Sequence, residues 1–185
     1  MLKLKAHSIK TDNCNLFHKR YIREVATRHL DSLKVLDLFA GNNTIWKSFN
    51  KDKYFGVEIE KGKGKNLNAD NVRVIQSLDL SRFNVIDCDS YGIPIKQIAK
   101  IFSNPTLKKG TVIIYTCIGN SLSSLSKDFL DYFKIKHMYR KVKVLFNARS
   151  AEFFYAYLYD LGIRTVHEYE EKSTKFNKKY GYFIV

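Results

Sequence analysis

Short apolar runs, each closed by an acidic residue or a small-residue turn, recur along the chain and set its predicted architecture. Lys34 to Asn43 (KVLDLFAGNN) places Val35, Leu36, Leu38 and Phe39 in the near-continuous pattern of a strand covered on both faces, then breaks at Ala40-Gly41. Thr44 to Phe49 is predicted to open the helix that follows. Tyr54 to Glu58 (YFGVE) is a second strand ending in a carboxylate, Val72 to Ile75 a third, and Phe83 to Ile86 a fourth that runs into Asp87-Cys88-Asp89-Ser90-Tyr91-Gly92. Gly110 to Cys117 (GTVIIYTC), rich in β-branched residues, is a fifth buried strand whose end at Thr116 to Asn120 should lie beside a ligand.

Helical spacing fills the intervals. Asn15 to Leu30 is predicted as an amphipathic helix with Leu16, Ile22, Val25, Ala26 and Leu30 inward and a basic outer face. Glu60 to Asp70 (EKGKGKNLNAD) reads as a loop or one abbreviated helical turn, and Ile95 to Phe102 as the helix after the fourth strand. Ser121 to Phe133 and the basic stretch to Lys143 form an insertion on the carboxyl edge of the sheet, the edge where ligands of open α/β sheets bind. Ala148 to Leu161 is a strongly apolar helix whose aromatic residues are dense enough to be core. Arg164 to Glu170 and Tyr180 to Val185 close the chain as an antiparallel hairpin.

Composition adds one domain and one class of partner. A chain of 185 residues with 45% hydrophobic content can bury a single sizeable core, so residues 1–185 are expected to form one domain. Its parts are a leading helix region over 1–31, a cofactor-binding half over 32–118, and a substrate-side insertion, helix and hairpin over 119–185. No apolar run approaches the ~18 residues that span a bilayer, and no signal-peptide pattern opens the chain, so a soluble, cytoplasmic protein with no membrane partner is expected. Cys14, Cys88 and Cys117 are scattered without metal-site spacing, so neither a disulfide framework nor a metal is expected. The net charge of +14 and a pI near 9.6 favour a polyanionic partner, nucleic acid above all, with a lysine-rich solvated surface as the other explanation. Basic residues cluster on the leading helix (Lys19, Arg20, Arg23), at Lys61 to Lys65, in the insertion (Arg140, Lys141, Lys143) and at Lys172 to Lys179.

The candidate chemistry lies at the strand ends. At a first strand-to-helix turn the amide N–H groups face outward, which suits a nucleoside-type cofactor, and an acid about twenty residues on can accept hydrogen bonds from ribose hydroxyls. Asp37, Gly41 and Glu58 have these places.

With those residues in view, the chain resembles the class I S-adenosylmethionine-dependent methyltransferases. DLFAG at Asp37 to Gly41 is similar to their first motif, and Val57-Glu58 to their second. DCDSYGIP at Asp87 to Pro94 resembles the fourth motif of enzymes that methylate exocyclic amines of bases, and more closely the signature of the tRNA guanine-N2 dimethyltransferase family. Asn43 stands where most members have a second glycine, and Ser90 replaces the usual proline. The resemblance implies an α/β, Rossmann-like methyltransferase fold: a mostly parallel seven-stranded sheet, helices on both faces, and a C-terminal antiparallel hairpin whose last strand inserts between the fifth and sixth. It implies S-adenosyl-L-methionine as cofactor, held by Asp37, Phe39, Gly41, Asn43, Glu58, Asp79 and Asp87, with Ile59 or Leu78 beside the adenine. It further implies Asp89 as acceptor of the target amine's hydrogens and Tyr91 as the ring that stacks on an extruded base. The expected activity is N-methylation of an exocyclic base amine in nucleic acid, structured RNA such as tRNA favoured over DNA. Phosphates would be gripped by Lys19, Arg20, Arg23, Arg140, Lys141 and Lys143. Methylation of a protein or small molecule, and a non-catalytic nucleic-acid-binding module, remain the alternatives. Cys88, between two aspartates, is read as structural.

Overall fold

The computed structural model describes residues 16–64, 66–119, 125–172 and 177–185. Helix α1 (Leu16–Thr27) leads into strands β1 (Lys34–Asp37), β2 (Lys53–Glu58) and β3 (Leu67–Asn68), helix α2 (Asn71–Ser77), strand β4 (Val85–Cys88), helix α3 (Ile95–Phe102) and strand β5 (Val112–Gly119). Helices α4 (Lys127–Tyr132), α5 (Lys136–Lys141), α6 (Lys143–Ala148) and α7 (Ser150–Asp160) follow, and strands β6 (His167–Lys172) and β7 (Asn177–Ile184) end the chain. The seven strands form one sheet in the order β3-β2-β1-β4-β5-β7-β6, parallel through β5 and antiparallel where β7 enters between β5 and β6. This is the mostly parallel sheet with a terminal hairpin that the strand pattern predicts.

Two departures concern local elements. The third strand is Leu67–Asn68, and Val72 to Ile75 belong to helix α2. The Asp70 side chain accepts from the Arg73 amide and so caps the helix, which turns Val74 and Ile75 together into the core. After β1, where the sequence pattern predicts a full helix, there is a single 3-10 turn at Trp46–Ser48. Asn43 at φ 61° turns the chain sharply before it, and the Trp46 ring is wholly buried.

Period-two alternation splits the core between the two sheet faces. Leu36, Ile86, Ile113 and Tyr115 pack with Ile75, Ile98, Ile101 and Phe154 in the larger cluster. Val35, Val85, Val112 and Ile114 meet Ile22, Ala26 and Trp46 in the smaller one under α1. Asp37 lies two residues beyond Val35 and Asp87 two beyond Val85, and the two acids are register partners. Both carboxylates therefore point beneath α1, where the sheet ends and the ligand edge begins.

Candidate active site at the carboxyl edge

The turn after β1 is built for close backbone approach. Gly41 has φ 51° and Asn43 φ 61°, the left-handed region that glycine enters freely and asparagine tolerates better than other side chains, so Asn43 fulfils the backbone role of a second glycine. Glu58, at the end of β2, holds this turn: its Oε2 accepts from the Gly41 amide at 3.0 Å and its Oε1 from the Glu60 amide at 2.9 Å. Asn66 donates to the Gly41 carbonyl at 2.8 Å and to the Lys63 carbonyl at 3.0 Å, and it packs on Gly56, where a Cβ would stand only 2.2 Å from its Oδ1. A side chain at position 56 would push the loop off the site. Asn71 at the start of α2 donates to the Leu38 carbonyl at 3.0 Å and accepts from Gln97 at 3.2 Å, so α2 is tied to the same edge.

Beside this turn lies a buried charge cluster. Asp37 accepts from the Phe39 amide at 3.1 Å and from the Tyr54 hydroxyl at 2.8 Å. Arg23 of α1 makes a bidentate pair with Asp87 at 2.7 and 2.8 Å and donates its remaining Nη1 to the Lys19 carbonyl at 2.7 Å. The Trp46 indole adds a bond of 2.7 Å to Asp87. Asp89 is bound on one oxygen by Thr116 and on the other by the Lys19 ammonium, each at 2.6 Å, with Arg23 3.7 Å away. Two cations thus face three carboxyls. Burial, together with the charge of Asp87, pushes Asp37 up to about 8, so the third carboxyl holds its proton at neutral pH. Burial also raises Asp87 against the pull of Arg23. For Asp89 burial acts upward, but Arg23 and Lys19 outweigh it and hold the carboxyl below its ordinary value.

The sequence-derived site residues divide accordingly. Asp37, Phe39, Gly41, Asn43, Glu58, Asp87, Asp89 and Tyr91 share the carboxyl edge, where Ser90 is buried and the Tyr91 ring is 94% exposed. Ile59, directly after β2, is exposed at the same edge. Asp79 and Leu78 are elsewhere. Leu78 ends α2, and Asp79 caps the 3-10 turn leading into β4, where a hydrogen bond from Ser81, with Arg82 and Lys108 nearby, lowers its carboxyl. That is the amino edge, away from Glu58, and the misplaced third strand is the cause. The leading helix also differs from expectation: Arg23 is fully buried, Lys19 is spent on Asp89, and Arg20 reaches the Thr44 carbonyl at 3.5 Å, so this basic face turns to the sheet edge and not outward. Arg140, Lys141 and Lys143 are exposed. Cys88 is buried between the acids, and burial raises its thiol well above the ordinary value, against any nucleophilic use. Cys14 and Asn120 lie outside the described residues. Thr116 stands at this edge, where the sequence pattern puts the end of the fifth strand. The roles of Tyr54 and Trp46 do not stand out in the sequence; the available signal for Trp46 is that the chain's one tryptophan directly follows the turn after β1.

No protein-family model and no curated protein sequence matches the chain. Solved structures do. The N-methyltransferase NodS from Bradyrhizobium japonicum superposes with a TM-score of 0.54 at 8% identity, over 93% of this chain and 98% of that one. A Haemonchus contortus phosphoethanolamine N-methyltransferase 2, solved with phosphomonomethylethanolamine and S-adenosylhomocysteine, gives 0.51 at 11% identity, over 94% of this chain and 59% of that one. At such identities the likeness is one of fold, and together with the strand order it shows that this chain has the Rossmann-like methyltransferase fold.

Proposed function

We propose that the protein is an S-adenosylmethionine-dependent N-methyltransferase acting on an exocyclic base amine of nucleic acid, with structured RNA as the favoured substrate. The observation that carries this reading is the shared edge: the Gly41 turn and Glu58 stand beside the Asp87–Tyr91 turn, which presents a buried carboxylate next to an exposed aromatic ring. The residues fit the cofactor. Each Glu58 oxygen uses one acceptor position on a loop amide and keeps another for a ribose hydroxyl. S-adenosylmethionine, when bound, supplies an already activated methyl group, so the protein's task is positioning.

Asp89 does that work. A base amine is a poor nucleophile because its lone pair is delocalised into the ring. A fixed carboxylate that accepts its hydrogens favours a more tetrahedral nitrogen and aims it at the methyl group. Thr116 fixes the rotation of that carboxylate, and its depressed pKa keeps it an acceptor. Tyr91 offers the face on which an unpaired or flipped base stacks. The net charge of +14 supports a polyanionic substrate.

A non-catalytic, nucleic-acid-binding reading is favoured by one feature: the Asp89 side chain is only 7% exposed and already paired with Lys19. The test is incubation with methyl-labelled cofactor and, separately, bulk tRNA, rRNA and DNA, followed by nucleoside analysis, with calorimetry of S-adenosylhomocysteine binding alongside. Label in an N-methylated base is the expected result. Cofactor binding without transfer to any nucleic acid defeats the base-amine reading, and absence of cofactor binding defeats every methyltransferase reading.

A further inference from the structure

The outer side of α1 carries rings that the core does not use. Helical spacing turns Lys19, Ile22, Arg23 and Ala26 toward the sheet, and Phe17 and Tyr21, one turn apart, away from it. Phe17 is 75% exposed and Tyr21 49%, and neither belongs to the two packed clusters. His18 extends the row sideways. It meets Phe17 in a T-shaped contact with centroids 5.4 Å apart, and Tyr169 of β6 stacks on it at 4.4 Å while staying 39% exposed. Exposed rings farther along the chain have partners: Tyr132 bonds to Asp160, and Tyr159 lies under the Arg164 guanidinium.

The row leads to the candidate site. Tyr169 pairs in register with Tyr180, and Tyr180 with Thr116, so their side chains share the sheet face under α1. Two strand spacings, roughly 10 Å, separate Tyr169 from Thr116, whose hydroxyl holds Asp89 at 2.6 Å. Lys19, directly after His18, holds the other Asp89 oxygen.

We infer that Phe17, Tyr21 and Tyr169 form a second base-stacking surface for the unpaired nucleotides that flank the target, so that the substrate presents its target in a single-stranded loop and not in a continuous duplex. This rests on the base-amine reading above and deepens it. A strand whose target base lies at Asp89 and Tyr91 must continue past this edge, and roughly 10 Å is about three rises of a stacked strand. Flat rings hold any base by its face, which gives affinity without reading sequence. A duplex that surrenders only its target base keeps the neighbours paired and offers these rings nothing. A second copy of the chain, docked ring on ring, would bring together two molecules that each carry a net charge of +14.

The test is filter binding, with S-adenosylhomocysteine present, of three RNAs with equal numbers of phosphates: a stem with a mixed-base loop, the same stem with an abasic loop, and a continuous duplex. Wild type should bind the mixed-base loop at least about tenfold tighter than either of the others. Phe17→Leu, Tyr21→Leu and Tyr169→Leu keep apolar bulk and lose the flat ring. Each should weaken binding of the mixed-base loop about tenfold, with abasic-loop binding and the slope of log affinity against log salt unchanged, because no phosphate contact is lost. Phe17→Tyr, Tyr21→Phe and Tyr169→Phe should bind as wild type does. Thermal melting and S-adenosylhomocysteine affinity establish that each variant is folded, and Tyr21, which lies outside the packed clusters, can be replaced without loss of core. Equal affinity of wild type for loop and duplex overturns the inference, as do leucine variants that bind the loop like wild type or whose loss comes with a flatter salt slope. Methyl transfer to a base in any of these cases leaves the base-amine reading standing, and absence of RNA binding with cofactor bound overturns both.

Discussion

Two basic segments of this chain, α1 and the α5–α6 region, have the same appearance in sequence and opposite fates in the structure. In α1 the cations turn inward: Arg23 is 1% exposed and pairs with Asp87, and Lys19 closes on Asp89. In α5 and α6, Arg140, Lys141 and Lys143 stand exposed beside Val142, Val144 and Leu145. The difference lies in what each helix covers. Strand alternation delivers Asp37 and Asp87 to the face under α1, and a carboxylate taken out of water must be paired or protonated. Residues 134–148 contain no acidic residue and lie against an aromatic cluster that includes Phe129, Phe146 and Phe153, so the charges of Arg140, Lys141 and Lys143 have no carboxylate beneath them to pair with. A basic cluster thus stays at the surface where what lies beneath it is apolar.

The sharpest break of this comparison is Arg23→Met. It removes both hydrogen bonds to Asp87 and strands a buried carboxylate, a change that costs about 3–5 kcal/mol, against less than about 0.5 kcal/mol for each exposed basic residue of the insertion. Urea melts of Arg23→Met and Arg140→Met at pH 7 decide it. Equal losses would mean that α1 is as dispensable as the insertion.

Lys19→Met should come next, at about 1–3 kcal/mol near neutral pH, because Asp89 loses its charge-assisted partner while Thr116 and Arg23 remain. The pH dependence identifies the cause. A carboxyl depressed below its ordinary value of 3.8 gives stability that is present above that pH and lost as pH falls through the folded-state value. The gap between wild type and Lys19→Met should therefore be widest well above 3.8 and narrow as pH falls below it. A gap independent of pH would assign the loss to packing of the lysine stem alone.

How far the sequence reveals this arrangement depends on the range of the interaction. Strands β1, β4 and β5, buried on both faces, are written as nearly continuous apolar runs, and the acids closing β1 and β4 mark the edge that holds the site. Strand β3 is two exposed residues long, too short for any period, so the alternation Val72-Arg73-Val74 reads as strand although Asp70 caps a helix there. With that slip go Asp79 and Leu78, two of the expected cofactor residues, which lie on the other edge. The inward turn of Arg23 depends on Asp87, 64 residues on, and an arginine beside Ile22 on an amphipathic helix reads as exposed until that partner is in place.

Asp37→Asn probes the excess carboxyl under α1, with a smaller effect of opposite sign. The Asp37 pKa lies at about 8, above the ordinary 3.8, so its contribution to stability is fully present below about pH 4 and lost as pH rises toward 8. Asparagine keeps an acceptor for Tyr54 and never ionises. The variant should melt at least about 2 °C above wild type at pH 8, roughly 1 kcal/mol, and lose that advantage by pH 4. Parallel melting curves across that range would place the buried proton elsewhere in the cluster.

The smallest effect on the fold and the clearest on binding is expected from the Arg140/Lys141/Lys143 alanine triple variant. These side chains are exposed, so stability should change by less than about 1.5 kcal/mol in all. If they meet phosphates of a bound RNA, each phosphate that the variant leaves unneutralised keeps its counterion, which flattens the plot of log affinity against log salt by about 0.7–0.9 units, or roughly 2 units for the three. Phosphate contacts position without reading sequence, so the weakening should be the same for every RNA tested. Filter binding between roughly 50 and 200 mM salt, with wild type and variant side by side, measures the slope. An unchanged slope would remove the contrast between the two basic segments, because neither would then hold its charge for a polyanion.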